Sequence, residues 1–221
     1  MNSQSLFSQA LLLSGEGGDA LSRGDGDFAC KKYKAALELL RHVPYLVEIK
    51  MEGQGVGVAN ALSSLAISQL YDDTFFICNK PIVTILLDGP GEINTKAVMT
   101  LSLGIVFNMA LLYHQKALAK NSKKMYRLAF LMYDQCLSLC QSSGSGPFTT
   151  SNVLMTMALN NIAHLYFSTG ALQEAASMLE KMQRVIHATD FSNCGLKNFD
   201  FLDEVLLNAM VIDSPKAAPC A

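Results

Sequence analysis

Apolar residues recur along this chain at helical intervals, and the same intervals recur in separate places. Asn108-Met109-Ala110-Leu111-Leu112-Tyr113 and Asn161-Ile162-Ala163-His164-Leu165-Tyr166 both read N-x-A-x-L-Y, and an apolar residue (Val106 or Leu159) precedes each asparagine by two positions. A second stripe runs Ala29-x-x-x-Tyr33-x-x-Ala36-Leu37-x-Leu39 and repeats as Ala129-x-x-x-Tyr133-x-x-Cys136-Leu137-x-Leu139. A weaker copy is Ala175-x-x-x-Leu179-x-x-Met182. Spacings of three and four residues put these groups on one face of a helix. Ser168-Thr169-Gly170 separates the two stripes in the last copy, and Gly24-Asp25 precedes Ala29, so each copy predicts helix, turn, helix.

Three helix pairs are expected, at 3–41, 94–141 and 148–188. The first is degenerate: Leu6 to Leu13 has a helical pattern, but Gly15-Glu16-Gly17-Gly18 is expected to interrupt it. In the second, fifteen residues separate Tyr113 from Ala129, against eight between Tyr166 and Ala175, which predicts a longer helix or loop. Residues 42–93 form an insertion that carries Pro44, Pro81, Pro90 and the run Gly53-Gln54-Gly55-Val56-Gly57. Within it, Thr74–Cys78 and Ile82–Leu87 are β-branched and aromatic and flank Asn79-Lys80-Pro81, the pattern of an extended excursion with a candidate short hairpin. Ser142 to Pro147 reads as a connector. Phe199 to Met210, in a final segment 189–221, reads as an amphipathic capping helix over the open end of the stack.

The order of stripe, turn and stripe resembles the tetratricopeptide repeat. Leu159, Ile162, Ala163, Tyr166, Gly170, Ala175, Leu179 and Met182 fall on that family's signature positions, with Ala163 where glycine is usual and Leu159 where tryptophan is usual. The layout is also similar to tetratricopeptide-like proteins of diatoms, through the extended stretch before the Asn108 helix, the Ala158-Leu159-Asn160-Asn161 start and the final Phe201-Leu202 helix. The resemblance implies one all-α domain over 1–221: an α-solenoid of antiparallel helix pairs with an extended insertion and a C-terminal cap. It also implies that the first helices line a concave groove, with Asn108, Leu111, His114, Asn160, Asn161, His164 and Phe167 facing into it. Amides and imidazoles there can hydrogen-bond an extended peptide while Phe167 adds an apolar contact. The asparagines could equally bond neighbouring backbone within the stack. Members of the family that grip chaperone tails carry Lys or Arg on this face, where Phe107, Leu111, Met157 and Asn161 stand here, so chaperone-tail binding is not expected.

Composition narrows the class further. Half of the 221 residues are apolar and 16% are charged, too much apolar surface for a disordered chain. A net charge of −2 (17 basic, 19 acidic residues) argues against a nucleic-acid partner. Ala97 to Gln115 carries no charge, but Gly104, Asn108 and His114 make it a poor membrane span; a buried core helix is expected instead. Met1 to Ser14 has neither Lys nor Arg, and the six cysteines lack zinc-ribbon or redox spacing, so an intracellular, cytoplasmic protein with free thiols is expected.

No catalytic or cofactor signature is present. The glycine run at 53–57 lacks the strand and helix context of a phosphate loop. Cys136 and Cys140 share a helical face that could hold a metal with His114 or His164, but Cys136 sits at a small-residue packing position, so no metal and no cofactor are expected. Lys116, Lys120, Lys123, Lys124 and Arg127 cluster in a stretch without acidic residues, either a solvated face or a patch for an acidic partner segment; Asp200, Asp203 and Glu204 could also neutralise it from within. The expected function is a non-catalytic scaffold or adaptor that binds a polypeptide in its groove. The alternatives are a subunit of an obligate complex, with an apolar patch at Phe75, Phe76 and Ile85, or a small-ligand protein or enzyme with a site in residues 42–93.

Overall fold

The repeated stripes fold into helix hairpins. The computed structural model describes residues 2–43, 70–71, 75–82, 95–142, 150–189 and 205–208. Among the described residues six long helices run in three consecutive pairs: α1 (Ser3–Ser22) with α2 (Gly26–Arg41), α3 (Thr95–Lys120) with α4 (Lys123–Ser142), and α5 (Thr150–Ser168) with α6 (Leu172–Ala188). The first helices touch in the order α1, α3, α5 and form one layer. Each of α2 and α4 packs on its own first helix and on the next one.

The three turns are the same turn. Gly24 and Gly170 have φ of 80° and 79°, and Asn121 has φ 44°. The following amides reach back five residues, Asp25 N–H to Ala20 C=O at 2.9 Å, Ser122 N–H to Ala117 C=O at 3.2 Å and Ala171 N–H to Tyr166 C=O at 2.9 Å. This is the Schellman closure, which needs a residue in the left-handed region and therefore glycine or asparagine. The residue after it then accepts the first bond of the second helix, from Ala29, Tyr126 and Ala175.

Aligned on these turns, the first and third hairpins correspond residue for residue. The middle hairpin is longer: α3 and α4 have 26 and 20 residues against 19 and 17 in α5 and α6. Asn108 lies thirteen residues before Asn121 where Asn161 lies nine before Gly170, and Ala129 lies eight after its turn where Ala175 lies five after. Additions of four and three residues are one helical turn each, so every stripe stays on its face. The expected extra length is helix, not loop.

The second-helix stripe is buried in all three copies: Ala29, Tyr33, Ala36 and Leu40; Ala129, Tyr133, Cys136 and Cys140; Ala175, Leu179 and Met182. Each large member contributes about 1.5–3 kcal/mol of burial. The predicted interruption at Gly15–Gly18 is absent, since α1 runs through it. Gly17 stands at the position of Ala163, and a Cβ there would lie 2.6 Å from Tyr33 Cε1. The Tyr33 ring rests on the α1 backbone, and this tertiary contact outweighs the roughly 1 kcal/mol that glycine costs a helix.

Two apolar cores result. One joins α1, α2 and the outer side of α3 through Phe7, Tyr33, Leu101, Ile105 and Leu112; the other fills the space among α3, α4, α5 and α6. Among the described residues α3 alone is long and apolar enough to cross a membrane, with mean hydropathy 1.6 over its window, 78% of which is buried inside the protein. Its apolar surface is consumed by packing on both sides. Val205 and Asn208, on a helical turn at 205–208, are buried against this stack. The rest of the predicted capping helix, with Asp200, Asp203 and Glu204, lies outside the described residues.

A short strand pair leads into the predicted hairpin, whose second strand lies mostly outside the described residues. Strand β1 (Leu70–Tyr71) pairs antiparallel with β2 (Phe75–Phe76), Leu70 opposite Phe76 and Tyr71 opposite Phe75. Residues 77–82 continue as a strap without further strand pairing that bends at Lys80, and 83–87 lie outside the described residues.

Candidate functional site: an internal strap on the first-helix layer

The N-x-A-x-L-Y motif places Asn108 on α3 and Asn161 on α5 at equivalent positions, and each grips one residue of the strap by its main chain. Asn108 Oδ1 accepts the Ile82 N–H at 2.7 Å while its Nδ2 donates to the Ile82 C=O at 2.7 Å. Asn161 holds Cys78 in the same way, at 2.9 Å for both bonds. One carboxamide offers an acceptor and two donors, which matches the N–H and C=O of a single extended residue. The spare donor of Asn161 goes to Tyr133 Oη at 2.9 Å. Asn108 stands beside the Tyr33 hydroxyl in the same relation, but outside hydrogen-bonding geometry. Gln115 Nε2 adds a bond to the Asn79 C=O at 3.2 Å.

Side chains seat the strap as well. Phe75, Ile77, Cys78 and Ile82 are buried in the second core, and the Phe75 ring lies 5.2 Å from His164 and 5.4 Å from Phe167. Four hydrogen bonds to buried main chain contribute roughly 0.5–1.5 kcal/mol each. The strap therefore crosses from the third hairpin, at Cys78, to the second, at Ile82.

Beneath it runs a polar string, buried at Tyr133, His114 and His164 and reaching the surface at Ser168. His114 Nε2 and His164 Nδ1 are 2.9 Å apart, Tyr133 Oη is 3.3 Å from His114 Nδ1, and Ser168 Oγ is 3.4 Å from His164 Nε2. Burial holds both imidazoles neutral: it pushes His164 down to about 4 and His114 well below the usual range, with the neighbouring His164 adding to the effect. Burial also raises the Tyr133 phenol against the pull of Asn161.

The seven groove residues predicted from sequence thus have particular places. His114 and His164 are 1% and 3% exposed, so the face they were expected to open to solvent is closed by the chain itself. Asn108 and Asn161 are buried on the strap, and Phe167 packs half-buried against Phe75. Asn160 accepts from Asn208 Nδ2 at 2.7 Å. Leu111 is buried instead in the core that α3 shares with α1 and α2, since α3 is packed on two sides. Phe75, expected as part of an exposed patch, is fully buried for the reason just given; the side chain of Phe76 and all of Ile85 lie outside the described structure.

The basic residues sit on the extra turn of the middle hairpin. Lys120, Lys123, Lys124 and Arg127 are exposed. Lys116 is half-buried and bonds Asp27 at 2.6 Å, which lowers the Asp27 carboxyl. Among the described residues no group of three metal-ligating side chains occurs, and Cys30, Cys136 and Cys140 are free thiols. A bond with Cys140 and burial together raise the Cys136 thiol, as suits a core residue. Sequence reasoning missed Phe75, Cys78 and Ile82 as the groove's occupant. The available signal was an extended insertion in the same chain as two identically placed amides.

Comparison with protein-family models, with curated proteins and with solved structures gives no match.

Proposed function

We propose that the protein is a non-catalytic scaffold of the tetratricopeptide type that holds extended polypeptide across its first-helix layer, with residues 75–82 as the segment held within the chain itself. The supporting observation is the paired grip of Asn108 and Asn161 on Ile82 and Cys78, made wholly to main-chain atoms. Contacts of this kind fix an extended backbone without demanding a particular side chain. A partner segment would bind by taking the strap's place. Among the described residues, the free thiols of Cys30, Cys136 and Cys140 support a reducing, intracellular setting.

The test replaces residues 75–82 with a glycine–serine run of equal length and adds a labelled peptide of residues 74–83. The expected result is saturable binding to the replaced chain, at least about tenfold weaker binding to the intact chain, whose tethered strap competes, and loss of binding on Asn161→Ala in the replaced chain. Absence of binding by a replaced chain that still melts cooperatively would refute the reading.

A second reading, a subunit of an obligate complex, draws on Leu12 and Leu131, which are 64% and 55% exposed.

A further inference from the structure

Opposite the strap, an open groove of about 690 Å³ runs between α4 and α6 with α5 as its floor. Its apolar surface includes Leu131, Leu137, Leu159, Ile162, Met178 and Val185. From Phe130 to Gln141 the α4 wall spans about three helical turns, roughly 16 Å.

We propose that this groove docks an amphipathic helix of a partner protein, about three turns long and acidic along its edges. Two features select a helix. The floor carries Met155, Leu159, Ile162 and Tyr166 and no side-chain amide, and the one amide of the lining, Gln141, stands at the end of the α4 wall, whereas the strap on the other face needs Asn108 and Asn161 to satisfy its main chain. An extended segment in the outer groove would bury unpaired N–H and C=O groups, and a helix satisfies its own. Ser138, on the wall, already donates to the Asp134 C=O at 3.0 Å.

Charge selects the sign. Lys181 and Arg184 stand on the α6 wall, facing Asp134 on α4. Arg127 precedes Leu131 and Asp134 by four and seven residues, so it continues the same face of α4 toward Lys124, Lys123 and Lys120. Those four cations are exposed. The lengthening of the middle hairpin by one turn thus sets a basic end on the groove. Glu180 answers Arg184 only at 3.9 Å, between side chains each about two-thirds exposed, a pair too solvated to cancel the field.

The test uses the full chain and three synthetic helical peptides with the same spacing of apolar positions: leucines with glutamate flanks, leucines with lysine flanks, and serines in place of the leucines with glutamate flanks. Fluorescence anisotropy is expected to show the leucine–glutamate peptide binding at least about tenfold tighter than either comparator. Lys181→Glu with Arg184→Glu, and separately Leu131→Glu, are expected to weaken it by a similar factor, while Leu12→Glu, at the far end of the stack, leaves it unchanged. All four positions are exposed, and unchanged thermal melts would show that the variants remain folded. Equal binding of the acidic and basic peptides, no binding of either, or insensitivity to the charge reversal would overturn the proposal. So would self-association of the chain that Leu131→Glu abolishes, since a second copy would then be the occupant.

Discussion

Aligned on their turns, the first and third hairpins share the stripe of their second helices and differ in the surface of their first. Ala29, Tyr33 and Ala36 correspond to Ala175, Leu179 and Met182, buried alike. On the first helices, Gly15, Gly17 and Gly18 stand where Asn161, Ala163 and His164 stand. The third hairpin therefore carries an amide that holds main chain and an imidazole under Phe75. At Gly15 a Cβ would meet nothing within 4 Å among the described residues. Stripe positions specify how the hairpins nest, and the positions between them specify what lies across the layer.

The largest effect expected from breaking this comparison is that of Asn161→Ala. It leaves the Cys78 N–H and C=O buried without their partner, which should cost roughly 2–5 kcal/mol in urea unfolding. Gly15→Asn, the reciprocal change, should stay within about 0.5 kcal/mol, because it adds an amide where no strap is held among the described residues.

Acid should separate the regions next. The depressed imidazoles favour protonation in the unfolded chain. Stability is therefore complete above about pH 6.5 and falls as pH drops; the His164 contribution is lost at about 1.4 kcal/mol per pH unit and levels off below its value of about 4, while the loss from His114 continues until its own depressed value is passed. A double His114→Gln, His164→Gln variant should lose most of this slope in denaturant titrations across the same range.

Backbone contact gives a smaller contrast. Gly17→Ala should destabilise by about 1–2 kcal/mol, overpacking against the Tyr33 ring despite better helix propensity, whereas Gly15→Ala should stabilise by about 0.5–1 kcal/mol. Thermal melts of the two variants should move in opposite directions.

The smallest contrast concerns hydroxyls. Tyr133→Phe removes the acceptor of an Asn161 bond and should cost about 1 kcal/mol, while Tyr33→Phe removes a buried hydroxyl without a hydrogen-bond partner among the described residues and should be neutral or stabilising. Chemical denaturation of both single variants checks the difference.

Much of the helical layout was legible in the sequence. The Ala29, Ala129 and Ala175 stripes locate the second helices because their spacing is itself the packing geometry, and Gly24 and Gly170 mark turns that require a left-handed residue. Asn121 was harder to see, since asparagine is only an occasional substitute there. The glycine run at 15–18 misled because propensity is local, while the contact of Gly17 with Tyr33 is tertiary. For the candidate site, the sequence placed Asn108 and Asn161 on one layer but left open what they bond. Their partners are main-chain groups 26 and 83 residues away, and a main-chain group leaves no residue-type signature. The Lys116–Asp27 pair, 89 residues apart, was hidden for the related reason that no local pattern links the two.

Amide hydrogen exchange at Cys78 and Ile82 tests the central claim most directly, because their N–H groups are the two that Asn161 and Asn108 accept. Strong protection of both amides in the intact chain, with protection lost first at Cys78 on Asn161→Ala and first at Ile82 on Asn108→Ala, is the predicted result. Exchange of both amides at the rate of an unstructured peptide in the intact, folded protein would contradict it.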